Sequence, residues 1–389
     1  MATSQHRRPG SSRARRLLFG ALLAAAMAGL VGTAGWVMFG LADAPATSAA
    51  PGSSATSSAS APGAGMGAVS PSMAASSLAP SPFATGGQDA PFTGPVPGRL
   101  LIGIGDEADR DVQTALAKQA PVKMLTSWYN HQTDFAEFMD SWKGTLIPKL
   151  YRAGYAMHLV QWAPEGESQL TTRYGPACGR PYPLSDQFLP DMKHLAQIFG
   201  GPASGPPLYV TLFTEFSTYP CVDNEWDSAT NYYLALKDQY GAAYQVLHAN
   251  APNVHVSLGF GGWLGTYDYP QKGGGRSLIN HFTDIMKASD FQSFQAMNDD
   301  PNQNAPQILA MTKLLHPYGP VMLAHLKPDN ESQSVFNSDV RTIFTDSFIQ
   351  QATAAGLFAL SFMTTDLIDA DPATFQFLKA AVTHYGRAP

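Results

Sequence analysis

Eight short apolar runs, separated by amphipathic segments, constrain most strongly what this chain of 389 residues can fold into. The runs span residues 100–104, 122–126, 156–161, 208–213, 254–258, 291–296, 321–326 and 357–362. Helix-like segments lie between several of them, at residues 135–151, 231–249, 279–287, 306–315 and 340–355. Strands that alternate with helical patterns indicate βαβ units and a parallel sheet. Eight such units within residues 97–389 predict a (β/α)8 TIM barrel.

The main alternative is an open, doubly wound sheet that binds a dinucleotide. Such a sheet does not need eight units, and its first strand is followed by the motif G-x-G-x-x-G. The first run here is followed by Gly103-Ile104-Gly105-Asp106-Glu107, which does not complete that motif. A G-x-S-x-G elbow and a G-x-x-x-x-G-K-[ST] phosphate loop are also missing from the sequence. The sequence therefore favours the barrel and predicts no cofactor.

The first 41 residues have the composition of a membrane anchor. Residues 1–16 hold five Arg and no acidic residue, and residues 17–41 form a stretch without a charged side chain. A helix of that length would reach about 37 Å, enough to cross a hydrocarbon core of about 30 Å. The arginines favour a cytoplasmic N-terminus, and residues 17–41 are therefore predicted to be a signal anchor. Because Ala42-Asp43-Ala44 has the form of a cleavage site, a signal peptide cleaved after Ala44 remains the alternative.

Residues 42–96 are predicted to be a disordered linker. Of the 51 residues from 45 to 95, 43 are Pro, Ala, Ser, Gly or Thr. Such a segment cannot bury enough apolar surface to offset the entropy lost on ordering. In both cases residues 97–389 are expected to lie outside the cytoplasm. They are held at the cell membrane if the anchor is kept and are secreted if it is cleaved.

The charge of the barrel region argues against a nucleic-acid partner. The chain has 24 basic and 30 acidic residues, and its net charge is −6. Five of the basic residues and two of the acidic ones precede residue 97, which leaves 19 basic and 28 acidic residues in the barrel region. A net-negative domain does not offer the basic groove that a phosphate backbone requires. Two Cys and ten scattered His, without H-E-x-x-H, also predict no metal site.

Tryptophan is concentrated where the predicted strands end. Trp128, Trp162 and Trp263 follow the second, third and fifth runs, Trp226 lies in the loop after the fourth, and Trp142 falls within a helix-like segment. Barrel enzymes form their sites at the C-terminal ends of the strands, and flat aromatic faces suit the C–H faces of sugar rings. The sequence therefore predicts a polysaccharide site that contains six residues: Trp128, Tyr129, His131, Trp162, Trp263 and His325. His158 lies inside the third run and is expected to be a hydrogen-bonded interior residue.

Glu215 is the leading candidate for a catalytic carboxylate. Glycoside hydrolysis uses two carboxyl groups, one of which protonates the leaving oxygen. Glu215 follows the fourth run directly, and burial at the mouth of an apolar barrel should raise its pKa, as a general acid requires. Glu225, in the next loop, and Asp366, after the eighth run, are further candidates, with Asp106 as another.

The barrel, the acidic residue after the fourth strand and the aromatic strand ends resemble the retaining glycosidases of the large (β/α)8 clan. The nearest group is glycoside hydrolase family 26, the β-mannanases, and the resemblance covers residues 98–385. It implies that Glu215 is the acid/base. In that family the nucleophile Glu ends the seventh strand, where this chain has His325 and Lys327, and a His precedes the acid/base, where this chain has Thr214.

These departures leave two functions open. Either another carboxylate completes a glycosidase, or the barrel binds glycan without cleaving it, for example in polysaccharide export or assembly. The distance from Glu215 to its nearest carboxylate would distinguish them, because retaining enzymes hold the pair about 5–5.5 Å apart and inverting enzymes about 6.5–9.5 Å.

The two cysteines are predicted to form a disulfide. Cys178 falls in the long segment after the third run, and Cys221 follows the fourth. Neighbouring loops on one face of a barrel can approach within the Cα separation of about 4.4–6.8 Å that a disulfide needs. An oxidising compartment outside the membrane favours the bond.

Overall fold

A computed structural model describes residues 94–130, 139–221, 230–262, 264 and 278–389. Ten strands lie within these ranges: β1 Leu101–Ile104, β2 Met124–Tyr129, β3 Ala156–Gln161, β4 Ser168–Thr172, β5 Gly175–Gly179, β6 Leu208–Leu212, β7 Val254–Phe260, β8 Gln292–Ala296, β9 Val321–Leu326 and β10 Leu357–Phe362. Eight of them close into a parallel barrel in the order β1-β2-β3-β6-β7-β8-β9-β10, and β10 pairs with β1. The predicted TIM barrel is confirmed, and each predicted run contributes one barrel strand.

Eleven helices connect or flank the strands in the described part of the chain: α1 Ala108–Asp111, α2 Ala115–Gln119, α3 Leu146–Arg152, α4 Phe188–Phe199, α5 Asn231–Asn250, α6 Leu278–Ala288, α7 Asn304–Leu315, α8 Gln333–Ile343, α9 Asp346–Ala354, α10 Asp366–Asp369 and α11 Pro372–Tyr385. Short 3-10 turns lie at Tyr182–Leu184, Phe216–Thr218 and His316–Tyr318. Within the described ranges, no helix combines the length and apolarity needed to cross a bilayer. The predicted anchor and most of the predicted linker lie outside those ranges.

Three local predictions differ from the structure, and a helix cap explains the first. The segment predicted as one helix over residues 340–355 is two helices, because the Thr345 side chain caps α9 by accepting a hydrogen bond from the Phe348 amide. Trp142 was placed in a helix, but it lies in the turn that precedes α3 and packs edge-on against Phe199, with ring centroids 6.1 Å apart. Trp128 was placed after the second strand, but it lies within β2.

The barrel interior is built in layers, as small barrels require. Its lower layer is apolar and contains Leu101, Met124, Ala156, Tyr209, Phe291, Met322, Phe358 and Ala359. Above it, six buried polar side chains form a hydrogen-bonded chain across the barrel: Ser361, Thr126, His158, Thr211, Ser293 and Ser257. Both ring nitrogens of His158 contact threonine hydroxyls, at 3.2 and 3.0 Å, and burial lowers its pKa to about 3. His158 is thus the hydrogen-bonded interior residue that the sequence predicted.

A β-hairpin formed by β4 and β5 inserts between β3 and α4, and the sequence pattern did not reveal it. Its strands pair antiparallel, from Ser168 opposite Gly179 to Thr172 opposite Gly175. Most of its side chains are exposed or half-buried, so the apolar alternation that indicates a strand is missing. Cys178 therefore lies in a strand rather than in the predicted loop.

Candidate active site

The chain bends sharply where the fourth barrel strand, β6, ends. Phe213 and Glu215 both adopt the left-handed region, with φ of 54° and 63°. Non-glycine residues adopt it at a cost of roughly 1–3 kcal/mol, and only where the surroundings fix the chain. Gln161 provides that restraint, because its side-chain Oε1 accepts from the Phe213 amide and its backbone oxygen from the Thr214 amide, each at 3.1 Å. The bend places Glu215 at the C-terminal mouth of the barrel.

Glu215 is largely buried and has one firm hydrogen-bond partner across the barrel. Gln295 Nε2, from β8, donates to Glu215 Oε1 at 2.7 Å. Burial raises the pKa of Glu215, while the bond from Gln295, the charge of Arg180 and the indole of Trp162 lower it, and the Asp329 carboxylate raises it. Burial outweighs the opposing effects, so the pKa lies above its ordinary value, in the direction that a general acid needs.

The β4–β5 hairpin holds Arg180 beside Glu215. The guanidinium donates to the Ala163 carbonyl and to Thr218 Oγ1, the latter at 3.3 Å, and stacks 4.6 Å from the Tyr219 ring centroid. Cys178 and Cys221 are joined by a disulfide with a Cα separation of 5.3 Å. This bond ties the hairpin to the loop that follows Glu215. The disulfide is therefore part of the framework that positions Arg180.

Several buried polar atoms at the mouth find no hydrogen-bond partner among the residues that the structure describes. They include two donors, Trp128 Nε1 and Gln161 Nε2, and three atoms able to accept, Asn130 Oδ1, Thr214 Oγ1 and His325 Nε2. All five residues lie at or just beyond the C-terminal ends of barrel strands. Because buried polar groups are normally hydrogen-bonded, a cluster of this kind suits a ligand that both donates and accepts, such as a polyhydroxylated one.

The residues predicted to bind sugar occupy different environments. Trp162 is half-buried at the mouth, with the Arg180 guanidinium 5.5 Å from its ring centroid. Trp128 is 9% exposed and its ring lies against that of His325, tilted by 33° with centroids 4.3 Å apart. Tyr129 is buried and its hydroxyl donates to Asp191 at 2.7 Å, so it supports α4 and offers no free ring face. His131, Trp263 and Glu225 lie outside the described residues, as does Trp226.

Asp106 and Asp366 form a second acidic group at the adjoining ends of β1 and β10. Asp106 forms an ion pair with Arg110, and two-fifths of its side chain is exposed. Burial raises the pKa of Asp106 to about 7, and the negative charge of Asp366 raises it as well. Gly105, at φ +98°, shapes this turn, since a Cβ there would lie 1.9 Å from an oxygen of Asp111. Asp366 itself is exposed. The dominant charges on Glu215 come instead from Arg180 and Asp329.

Asp329 is a site residue that the sequence interpretation missed. It lies in the loop after β9, which runs along the end of β8: Lys327 N donates to the Ala296 carbonyl at 3.3 Å and Asp329 N to the Met297 carbonyl at 3.2 Å. Asn330 N donates to Asp299 Oδ1 at 2.8 Å and fixes the loop further. In the sequence, Asp329 is an acidic residue three positions after the seventh predicted strand. The resemblance instead implied a carboxylate at the end of that strand, so Asp329 was not considered.

We expect Asp329→Asn to lower the pKa of Glu215, because the variant removes a negative charge that disfavours ionisation. A reaction that needs protonated Glu215 then loses rate at a lower pH than in the parent. Asp329 is exposed, so added salt should reduce the difference between the two proteins. Titration of 13C-labelled glutamate side chains by NMR measures the shift, and Asp109→Asn, on α1, is the control. An unchanged or raised pKa in Asp329→Asn would contradict the coupling.

Among the residues described, no group of three or more His, Cys, Asp or Glu could hold a metal ion. The side chains at the mouth offer one half-buried carboxyl group with a raised pKa, a nearby guanidinium, indole rings and unpaired polar atoms.

No protein-family model matches the chain, and no curated protein matches its sequence. Several solved structures do match the fold of this chain. A GH26 β-mannanase from Bacteroides ovatus superposes with a TM-score of 0.50 at 10% identity, over 75% of this chain and 90% of that one. A GH26A protein from a Muricauda species gives 0.42 at 13% identity, over 74% and 89%. Fungal β-1,4-galactanases give 0.45 at 10% identity, over 70% and 91%. The domain is a TIM barrel similar in fold to the GH26 β-mannanase from Bacteroides ovatus at low sequence identity, which confirms the resemblance at the level of the fold.

Proposed function

We propose that this chain is a glycoside hydrolase that acts on a polysaccharide outside the cytoplasm, with Glu215 as the general acid/base. The observation that carries the proposal is the state of Glu215: a half-buried carboxyl group with a raised pKa, at the C-terminal face of a barrel of glycosidase fold. The β-mannanase fold favours a β-mannan, a β-glucan or a related cell-envelope glycan as substrate.

In this proposal protonated Glu215 donates its proton to the glycosidic oxygen as the C–O bond breaks. The half-buried Trp162 ring stacks on one sugar, and the unpaired atoms of Trp128, Gln161 and Thr214 exchange hydrogen bonds with hydroxyl groups. As the leaving oxygen departs, a second carboxylate either activates a water that attacks the anomeric carbon, or attacks it directly; in the latter case water, deprotonated by Glu215, then breaks the bond between sugar and enzyme. Glu225 and Asp366 are candidates for this carboxylate, and Asp329, whose charge raises the pKa of Glu215, is a further one.

We also propose that residues 17–41 anchor the barrel to the cell membrane and that residues 42–96 act as a spacer. The disulfide between Cys178 and Cys221 supports a location outside the cytoplasm, because such bonds persist in oxidising compartments. Cleavage after Ala44 would instead release the same domain.

A second candidate function is a barrel that binds glycan without cleaving it. The observation that favours it is the end of β9, where buried His325 lies in place of the carboxylate of a retaining enzyme. In that case the unpaired polar atoms and indole rings at the mouth would still bind sugar, and Glu215 would accept a hydroxyl hydrogen bond.

A polysaccharide panel with the full chain tests both functions. We expect new reducing ends from β-mannan, β-glucan or an envelope polysaccharide, with products resolved by chromatography. Binding to the same panel is measured in parallel by affinity electrophoresis. Cleavage that Glu215→Gln abolishes supports the hydrolase; binding without cleavage, weakened by Trp162→Ala, supports the binding protein. If the protein neither cleaves nor binds any polysaccharide in the panel, both candidate functions are contradicted.

A further inference from the structure

Gln295 connects Glu215 to a buried histidine on the next strand. Gln295 Nε2 donates to Glu215 Oε1 at 2.7 Å, and Gln295 Oε1 lies 3.5 Å from His325 Nδ1. The backbone register of β8 and β9 pairs these two residues directly. The amide nitrogen of Gln295 thus faces Glu215, where it donates to the carboxylate, and the amide oxygen faces the imidazole.

This orientation fixes the tautomer of His325. An amide oxygen can only accept, so the contact requires the proton of the neutral ring to be on Nδ1. Burial, together with the charge of Lys327, holds the pKa of His325 well below its usual value, and the ring is therefore neutral. Trp128 stacks on it at 4.3 Å and His158 at 6.2 Å, which restricts rotation of the ring.

We propose that Gln295 and His325 are positioning residues for Glu215: the Gln295 amide holds one carboxylate oxygen, and His325, as the Nδ1–H tautomer, sets the orientation of that amide. The inference deepens the proposed function, on which it rests for the role of Glu215. It assigns a task to the histidine that occupies the place of a nucleophile. His325 acts through Gln295 and contacts no reacting atom.

The electrostatic consequence has a definite sign. The groups that act on Glu215 are Gln295, Arg180 and Trp162, which favour the ionised form, and Asp329, which disfavours it. A donor that stabilises the ionised carboxylate lowers its pKa. Removal of the Gln295 amide should therefore raise the pKa of Glu215 further. Loss of the contact between His325 and Gln295 should also raise the pKa of Glu215, but by less.

Gln295→Leu tests the first contact in the full chain. The sequence contains seven Glu, so 13Cδ-labelled glutamate gives few signals, and Glu215→Gln identifies the one from Glu215. We expect the titration midpoint of Glu215 to rise on the order of one pH unit, the effect of a hydrogen bond to a charged group. Gln350→Leu, an exposed position on α9, is the matched control and should leave it unchanged. An unchanged midpoint in Gln295→Leu would overturn the proposal.

Two variants at His325 test the second contact. His325→Asn keeps an amide N–H near the position of Nδ1, whereas His325→Phe keeps a stacking ring but has no donor. We expect the Glu215 midpoint to stay near the parent value in His325→Asn and to rise in His325→Phe. Equal midpoints in His325→Phe and the parent would remove His325 from the proposal.

The parent protein offers a test that depends on no variant being folded. In 15N-histidine-labelled protein, the imidazole nitrogen shifts of His325 distinguish the two tautomers. Protonated Nδ1 with unprotonated Nε2 supports the proposal, and the opposite tautomer overturns it. None of these titrations requires a substrate, so a failed polysaccharide panel would reject the proposed function without changing them.

Discussion

Replacing Glu215 by Gln is expected to reduce kcat on a cleaved polysaccharide by about 10²–10⁴-fold, the usual contribution of a positioned proton donor. Glutamine has the same shape, and its amide oxygen can still accept the hydrogen bond from Gln295 Nε2. It cannot give up a proton to the leaving oxygen. The chemical step should slow while the barrel stays folded.

Binding and catalysis should separate in this variant. Trp162 is unchanged, so glycan affinity should remain near that of the parent while turnover falls. Glu167→Gln, an exposed glutamate before β4, is the matched control and should keep the parent rate. Initial rates across pH, with affinity measured on the same glycan, give the comparison. A Glu215→Gln protein with full turnover would reject Glu215 as the acid and redirect attention to Glu225, Asp106 and Asp366.

The fold was predictable because barrel strands are buried on both faces. Such strands appear as continuous apolar runs, and those at residues 156–161, 321–326 and 357–362 coincide with β3, β9 and β10. The β4–β5 hairpin was not predictable in this way, since it packs one side on α5 and exposes the other. Its location follows from tertiary contacts such as the Asn231 side-chain bond to the Pro176 carbonyl, at 2.9 Å.

At the candidate site, the sequence predicts only residues near strand ends, such as Glu215 and Trp162. Glu215 lies three residues after the end of β6, so the barrel rule alone places it at the mouth. Gln295 lies inside an apolar run as an ordinary amide, and Arg180 is 35 positions before Glu215, so neither could be connected to it by spacing. Their contacts depend on strand register and on the hairpin, which a sequence pattern does not encode. The left-handed backbone at Phe213 and Glu215 gave no sequence signal either, since neither residue is glycine or asparagine.

Removal of the disulfide should have the largest effect on stability. The bond joins residues 43 positions apart, and the loop-entropy relation gives about 4 kcal/mol for a closed loop of that size. We expect the Cys178→Ser/Cys221→Ser protein to unfold at lower urea concentration, with a free energy of unfolding lower by about that amount. Mass spectrometry of the parent protein, purified without reductant, should find no free thiol.

The same variant should also change the site, because the hairpin holds Arg180 in place. Arg180 lowers the pKa of Glu215, so a hairpin freed from the Cys221 loop should allow that pKa to rise. Reductant provides the matched control: it should bring the unfolding free energy of the parent down to that of the double variant and leave the variant unchanged. If the parent and the double variant have the same free energy of unfolding without reductant, the prediction is wrong. The backbone hydrogen bonds between the hairpin and the loop, such as the one from Cys221 N to the Cys178 carbonyl at 3.1 Å, are then sufficient to hold the hairpin that carries Arg180.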